Sequence, residues 1–263
     1  MEKQGNPTRK QYIFVIRELT NRELKRKYSR SYLGVIWSVL NPLLTMLIMT
    51  MVFSYMFRRN IQNYPIYYLT GMLFWNLFQN ATSSSLTALV DNRTLLLKVK
   101  LPKQTFILSR VYTALVNFLY SCIAFTLIYM VYVIRGKLVL SWAILLFPID
   151  VLFSLMFATG IGYALSIAYV FFADMRYLYS VLLHFWMFMC ALFYPVTRLP
   201  IYLRYAIGYN PVYVSIVIAR RIFLEGAVPE LTLWIKLVVY GVGSLALGYW
   251  IFKKNENKVM ASM

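Results

Sequence analysis

Residues 28–44 read YSRSYLGVIWSVLNPLL, and the fold follows from how this stretch joins what precedes it. Upstream, Arg9 to Arg30 carries the basic residues Arg9, Lys10, Arg17, Arg22, Lys25, Arg26, Lys27 and Arg30. Drawn as a helix, Tyr12, Ile13, Val15, Ile16, Leu19 and Leu24 share one side, with Lys10, Arg17, Asn21, Arg22 and Lys25 mostly opposite. Phe14 and Glu23 break the pattern. A basic face beside an apolar face predicts an amphipathic helix lying on the membrane surface; a basic leader that only sets topology is the plainer alternative. Downstream, Leu33 to Phe57 is apolar enough for a spanning helix, with Asn41-Pro42 inside it. Proline removes a backbone donor there and favours a kink, which suits a helix beside a pore and a packing helix equally.

Working outward, the 263 residues are 60% hydrophobic and 14% charged, against about 45–50% and about 25% for soluble domains. The expected fold class is an all-α integral membrane protein. A span takes about 20 apolar residues, and five further segments qualify: about 66–90, 106–134, 142–172, 179–194 and 233–252. Six transmembrane helices put both termini on one side. Lys and Arg gather in the N-terminal segment, in the loop with Arg93, Lys98, Lys100 and Lys103, and in the tail with Lys253, Lys254 and Lys258. That bias places both termini in the cytoplasm. The net charge of +18 is then inner-face bias and attraction to anionic lipids rather than a nucleic-acid footprint. The polar first thirty residues argue against a cleavable signal peptide. Cys122 and Cys190 lie in apolar runs and suggest neither disulfide nor metal cluster.

Between the fifth and sixth spans, Pro195 to Glu230 is apolar and aromatic, yet interrupted by Pro195, Pro200, Gly208, Pro211 and Gly226. The candidate helices at 201–209 and 212–223 are too short to span. They predict a re-entrant pair on the outer side, with an ordinary interfacial loop as the alternative. On the inner side, DNRTLLLKVKLPK (Asp91 to Lys103) predicts a short surface helix suited to a groove of a cytoplasmic partner, and FFADMRYLY (Phe171 to Tyr179) sets Asp174 and Arg176 at the surface. Asp150 in the fourth span is an intramembrane carboxylate, placed near the outer end. His184, the one histidine, cannot build a metal site alone and is expected to be a buried, hydrogen-bonded ring. Around it, Phe185, Trp186 and Phe188, with Tyr194, form an aromatic cluster. A phosphate-binding GxxxxGK[ST] loop is missing: Gly136-Lys137 has Val131 where Gly is required and is followed by Leu138. No catalytic triad or carboxylate pair occurs, so the chain is not expected to be an enzyme.

These parts, in this order, resemble the permease subunit of the ABC-type polysaccharide exporters, which export O-antigen, capsule and teichoic acid polymers. The resemblance rests on YSRSYLGVIWSVLNPL, the basic loop ending KLPK, the FFADMRY loop, and YPVTRLP, NPVY and RRIFLEG before the last span. Where the family has a Phe-Arg-Asp-like loop, this chain has Phe172-Ala173-Asp174 with Arg176 displaced. The resemblance implies residues 1–31 as tail and interface helix, 32–263 as a six-span permease domain, and a re-entrant outer region at about 195–230. It implies a homodimer, two cytoplasmic ATPase subunits that hold the ATP and Mg, no cofactor on this chain, and an undecaprenyl-diphosphate-linked glycan as substrate in the bacterial inner membrane. It assigns ATPase coupling to Ile13, Ile16, Leu19, Arg93, Leu96, Lys98, Lys100, Asp174 and Arg176. Reception of the lipid diphosphate falls to Arg26, Lys27 and Arg30. Channel-lining candidates are Trp37, Phe53, Tyr55, His184, Phe185, Trp186, Phe188 and Tyr194; the outer gate takes Pro195, Tyr209, Pro211 and Tyr213. A permease for small lipids or drugs, and a carrier or membrane enzyme acting without an ATPase, are the alternatives.

Overall fold

The computed structural model describes residues 9–29, 33–34, 36–56, 61–98 and 102–262. Among them are ten α-helices and no strand. The first is α1, Arg9–Tyr28, followed by α2, Ile36–Met56, α3, Tyr64–Asp91, and the short α4, Arg93–Lys98. Then come α5, Gln104–Ile134, a 3-10 turn at Trp142–Leu146 that runs into α6, Phe147–Phe171, and α7, Met175–Phe188. The chain closes with α8, Ile201–Gly208, α9, Pro211–Arg220, a π-helical turn Arg221–Glu225, and α10, Leu231–Ser262. Three stretches are long and apolar enough to cross a membrane: Gln104–Ile134, Trp142–Phe171 and Leu231–Val259. A shorter apolar run covers Ile36–Val52.

Helix ends follow local chemistry. Asn210 caps α9, its Oδ1 accepting from the Val212 amide at 3.1 Å, and Pro211 takes the first helical position, where no amide is needed. The π-helical turn stops at Gly226, φ 63°, a left-handed conformation that glycine adopts without strain.

Two apolar cores hold the helices. The larger centres on α3, where Leu73, Phe74, Phe78 and Ala81 meet Phe118 and Phe125 of α5, Phe157 of α6 and Ile216 of α9. The smaller gathers Leu19 of α1, Leu89 of α3, Leu96 of α4, Phe106 and Ile107 of α5, Tyr163 and Ile167 of α6, and Phe252 and Val259 of α10. The closest helix pair is α6 with α10. A Cβ placed at Gly160 would lie 2.2 Å from the Ser244 carbonyl, and one at Gly248 would lie 2.1 Å from the Gly160 oxygen. Small residues let these backbones touch, as in membrane helix packing.

The expected surface helix departs from its simple form. Over its second half α1 is gathered onto α5: Thr20 donates to the Ser109 carbonyl (3.3 Å), Glu23 pairs with Arg110 (2.9 Å) and Tyr28 donates to Asn117 Oδ1 (2.9 Å). The paired residues advance in step along both helices, so this half runs beside α5. Glu23, out of place in the amphipathic pattern, belongs there because a guanidinium on α5 faces it.

Candidate functional site: a polar wall along α3

Helix α3 is apolar on its buried side, and its polar residues have an order on the other. Asn76, Gln79, Asn80, Ser83, Ser84 and Thr87 recur every three or four residues, which aligns them as one stripe about 17 Å long at 1.5 Å per residue. The stripe is not packed away. One edge, with Asn76 and Asn80, lines a cleft of ≈570 Å3 shared with Tyr28 of α1, Trp37, Ser38 and Asn41 of α2, and Asn117 and Ser121 of α5. Asn80 and Ser84 continue into a cleft of ≈520 Å3 at the α1 end, which holds Arg22, Glu23, Arg26, Asp91 and Arg110. The other edge, with Gln79, Ser83 and Thr87, lines a cleft of ≈300 Å3 facing α7, where Arg176, Ser180 and His184 stand. Unpaired amides facing hydrocarbon would cost several kcal/mol each. Such a stripe therefore faces water or another polar surface.

The α7–α8 end is built differently. Helix α7 has 14 residues, about 21 Å, so the run expected at 179–194 breaks before it could cross. The non-helical residues after it have carbonyls that side chains from elsewhere cover. Tyr67 Oη donates to the carbonyls of Tyr194 (2.8 Å) and Ala191 (3.3 Å), and Asn210 Nδ2 donates to that of Met189 (2.9 Å). Arg220 Nη2 reaches the carbonyls of Ala191 (3.2 Å) and Leu192 (3.5 Å), and its guanidinium lies 3.4 Å from the Tyr67 ring centre. Gly71 makes room, since a Cβ there would meet Leu192 at 2.9 Å and Arg220 Nη2 at 3.1 Å.

Residues 15–224 match the family described as ABC-2 type transporter. This chain belongs to the ABC-2 type transporter family. Among curated relatives of this ABC-2 chain, the O-antigen export system permease protein RfbA of Myxococcus xanthus is 31% identical over 255 residues, 96% of either chain. RfbA of Klebsiella pneumoniae is 28% identical, over 82% of each. The polysialic acid transport protein KpsM of Escherichia coli is 21% identical over 92% of this chain and 93% of its own.

In this ABC-2 protein the expected site residues scatter. Ile13 is exposed and Ile16 half-buried, but Leu19 and Leu96 are buried against their own chain, where they anchor α1 and α4 instead of facing outward. Arg93 is exposed. Asp174 and Arg176 are both exposed, and Arg176 turns to the α7 cleft. Trp37 and His184 each line a cleft. His184 bonds the Ser180 carbonyl (2.7 Å) as a hydrogen-bonded ring should, yet it is exposed on this chain, not buried. Phe185 and Phe188 are exposed, whereas Trp186 is half-buried, donating to Asn210 (2.9 Å) and packing on Phe78 (4.9 Å). Tyr194 donates to the Phe188 carbonyl at 2.5 Å. Pro195 and Tyr213 are half-buried; Tyr209 is exposed with Lys236 Nζ 4.9 Å from its ring centre; Pro211 starts α9. Arg26 lines the cleft at the α1 end. Arg30 and Lys100 lie outside the described residues, as do the side chains of Lys27, Phe53, Tyr55 and Lys98. Asp150, expected near an interface, is fully buried between Ser154 and Ser215.

Sequence reading passed over the α3 stripe, Glu23 with Arg110, and Arg220 with Tyr67. The stripe did leave a signal: six polar residues at helical spacing in a 28-residue helix.

Proposed function

We propose that this chain is the transmembrane subunit of an ATP-driven exporter moving a polysaccharide on an undecaprenyl-diphosphate carrier across the cytoplasmic membrane. The polar wall along α3 carries this reading, because a hydrated polymer needs a water-compatible face across about 30 Å of hydrocarbon. The relatives' names, O-antigen export and polysialic acid transport, support the substrate class; teichoic acid polymers share its chemistry. In this reading α2, α3, α5, α6 and α10 span, α3 with its stripe turned to the path. Helix α7 and the α8–α9 pair complete the sixth crossing as a broken segment whose carbonyls Tyr67, Asn210 and Arg220 cover. Both termini face the cytoplasm. Two copies flank the path, and one ATPase with its ATP and Mg serves each from the α1 and α4 side. Arg26, Lys27 and Arg30 receive the diphosphate. Pro195, Tyr209, Pro211 and Tyr213 border the exit.

A small-lipid or drug permease would present an apolar wall instead. Two results separate these readings. With Cys122 and Cys190 replaced, single cysteines at Gln79, Asn80 and Ser83 are expected to react with a charged, membrane-impermeant thiol reagent from the water side, and one at Ala81, fully buried on the opposite side of α3, is not. Protection of all the stripe positions would overturn the reading. The double variant Asn76→Leu, Asn80→Leu is expected to keep its ATPase partner and to lose export of the host's lipid-linked glycan by about ten-fold or more, since each lost amide costs ~1–3 kcal/mol along the path. Replacing Arg26, Lys27 and Arg30 together by Gln is expected to lower glycan-stimulated ATP hydrolysis in the intact complex; unchanged stimulation would remove the diphosphate role.

A further inference from the structure

Helix α1 is tied at one end of two of the polar clefts to α2, α5 and the end of α3, and Arg110 links α1 to α3 through one of those ties. Tyr28 Oη meets Ser38 of α2 and donates to Asn117 of α5. Arg22 donates to Asn92, just after α3, at 2.7 Å. Arg110 of α5 stands between the remaining pair: its Nη1 is 2.9 Å from Glu23 of α1 and its Nη2 is 3.0 Å from Asp91, the last residue of α3. Each carboxylate has a second donor, Thr113 Oγ1 on Glu23 (3.0 Å) and Thr87 Oγ1 on Asp91 (2.8 Å). Thr87 is itself part of the polar stripe.

The site is neither a plain surface ion pair nor a general anion pocket. Side-chain exposure is 18% for Arg110 and 14% for Glu23 but 49% for Asp91, so screening is weak on the Glu23 link and stronger on the Asp91 link, which Thr87 also braces. The guanidinium's planar fork holds two carboxylates from two helices at once, which a lysine's single point charge does not match. The Arg110 Nε is buried with no partner among the described residues. The fork is thus committed to carboxylates on α1 and α3, and any displacement of α1 pulls on Glu23, Arg110 and Asp91 in series.

We propose that Arg110 is the positioning residue that transmits movement of α1 to the polar wall of α3. This rests on the exporter reading, in which the ATPase moves α1. When α1 shifts, the Glu23–Arg110–Asp91 chain carries the shift to the end of α3, and the clefts on either side of the stripe change width together. Without the fork, α1 stays tied to α5 and α2 through Thr20 and Tyr28 and to Asn92 through Arg22, but nothing pulls on Asp91.

The test uses the full complex with its ATPase, in lipid nanodiscs, with MgATP and vanadate as the probe. Spin labels at Phe14, reporting α1, and at Gln79, reporting the wall, are each paired with a reference label at Val139. Wild type is expected to shift both distances on vanadate trapping. Arg110→Gln is expected to keep the α1 shift and lose the wall shift. Glu23→Gln and Asp91→Asn, each removing one link, are expected to do the same, and Arg110→Gln with Glu23→Gln is expected to be no worse than either alone. Arg110→Lys is expected to restore only part of the wall shift. A wall shift retained in Arg110→Gln, or losses that simply add in the double variant, overturns the proposal. Should Arg110→Gln fail to assemble, the two milder variants decide in the same way. A wild-type complex in which neither distance shifts overturns the exporter reading itself, and is told apart because α1 then never moves.

Discussion

Replacing Arg220 by Met is expected to remove most of the folded protein. Arg220 is 7% exposed, and no carboxylate pairs with it among the described residues. Its charge is held by the π face of Tyr67 at 3.4 Å and by the carbonyls of Tyr67, Ala191 and Leu192. A cation so placed is stabilised by the ring quadrupole and by charge-assisted bonds. Methionine fills similar volume but takes the guanidinium from the Leu192 carbonyl and removes one donor each from the Tyr67 and Ala191 carbonyls, which keep Thr70 Oγ1 (2.9 Å) and Tyr67 Oη (3.3 Å). An orphaned carbonyl costs ~1–3 kcal/mol and the lost cation–ring contact roughly 2 kcal/mol more, so the loss is on the order of 3–5 kcal/mol. That is a large share of the ~5–15 kcal/mol that holds a typical fold. Yield after detergent extraction and the melting temperature of what remains measure it. Arg220→Lys is expected to fall between, since an ammonium keeps the charge but not the fork. A melting temperature for Arg220→Met equal to wild type would sink the account.

The second large effect belongs to Gly248. A Cβ there meets the Gly160 backbone oxygen at 2.1 Å and the Gly160 carbonyl carbon at 2.7 Å. Backbone cannot swing aside as a side-chain tip can, so α6 and α10 must separate. Gly248→Leu is expected to cost ~3 kcal/mol or more, at or beyond the usual range for overpacking, and Gly248→Ala somewhat less. Separation would also strain the Ser244 Oγ bond to the Phe157 carbonyl, 3.0 Å in length. A Cβ added at Gly243, five residues earlier on α10, would meet nothing within 4 Å. Gly243→Ala is therefore expected to be neutral or stabilising by up to ~1 kcal/mol, the ordinary gain from removing a helix glycine. Thermal unfolding of the three variants side by side checks both signs. Equal melting temperatures for Gly248→Leu and Gly243→Ala would refute the close-packing argument.

Helix positions were legible because hydropathy and length are local properties. The apolar runs at 106–134 and 142–172 became α5 and the 3-10 turn with α6 within a few residues. What stayed hidden depends on partners far along the chain. Glu23 read as a flaw in an amphipathic face because Arg110 lies 87 positions later. Arg220 gave no sign of its role, because nothing near it in sequence announces Tyr67. Leu19 and Leu96 read as docking residues, since an apolar side chain looks alike whether it meets a partner or its own core. The α3 stripe is the opposite case: its periodicity was present in the sequence, masked by reading the segment only for its apolar content.

The far end of α10 has a practical bearing on how this protein is handled. Its last turns reach back to the α4–α5 corner, where Lys103 Nζ donates to the Glu256 carbonyl at 2.8 Å and Val259 is 1% exposed beside Phe252. The end of α10 is thus a buttress under α4 and the start of α5, not a spare tail. A purification handle spliced in before Val259, or a truncation there, would loosen the corner that positions α4, so an affinity tag belongs beyond residue 262 and behind a flexible spacer.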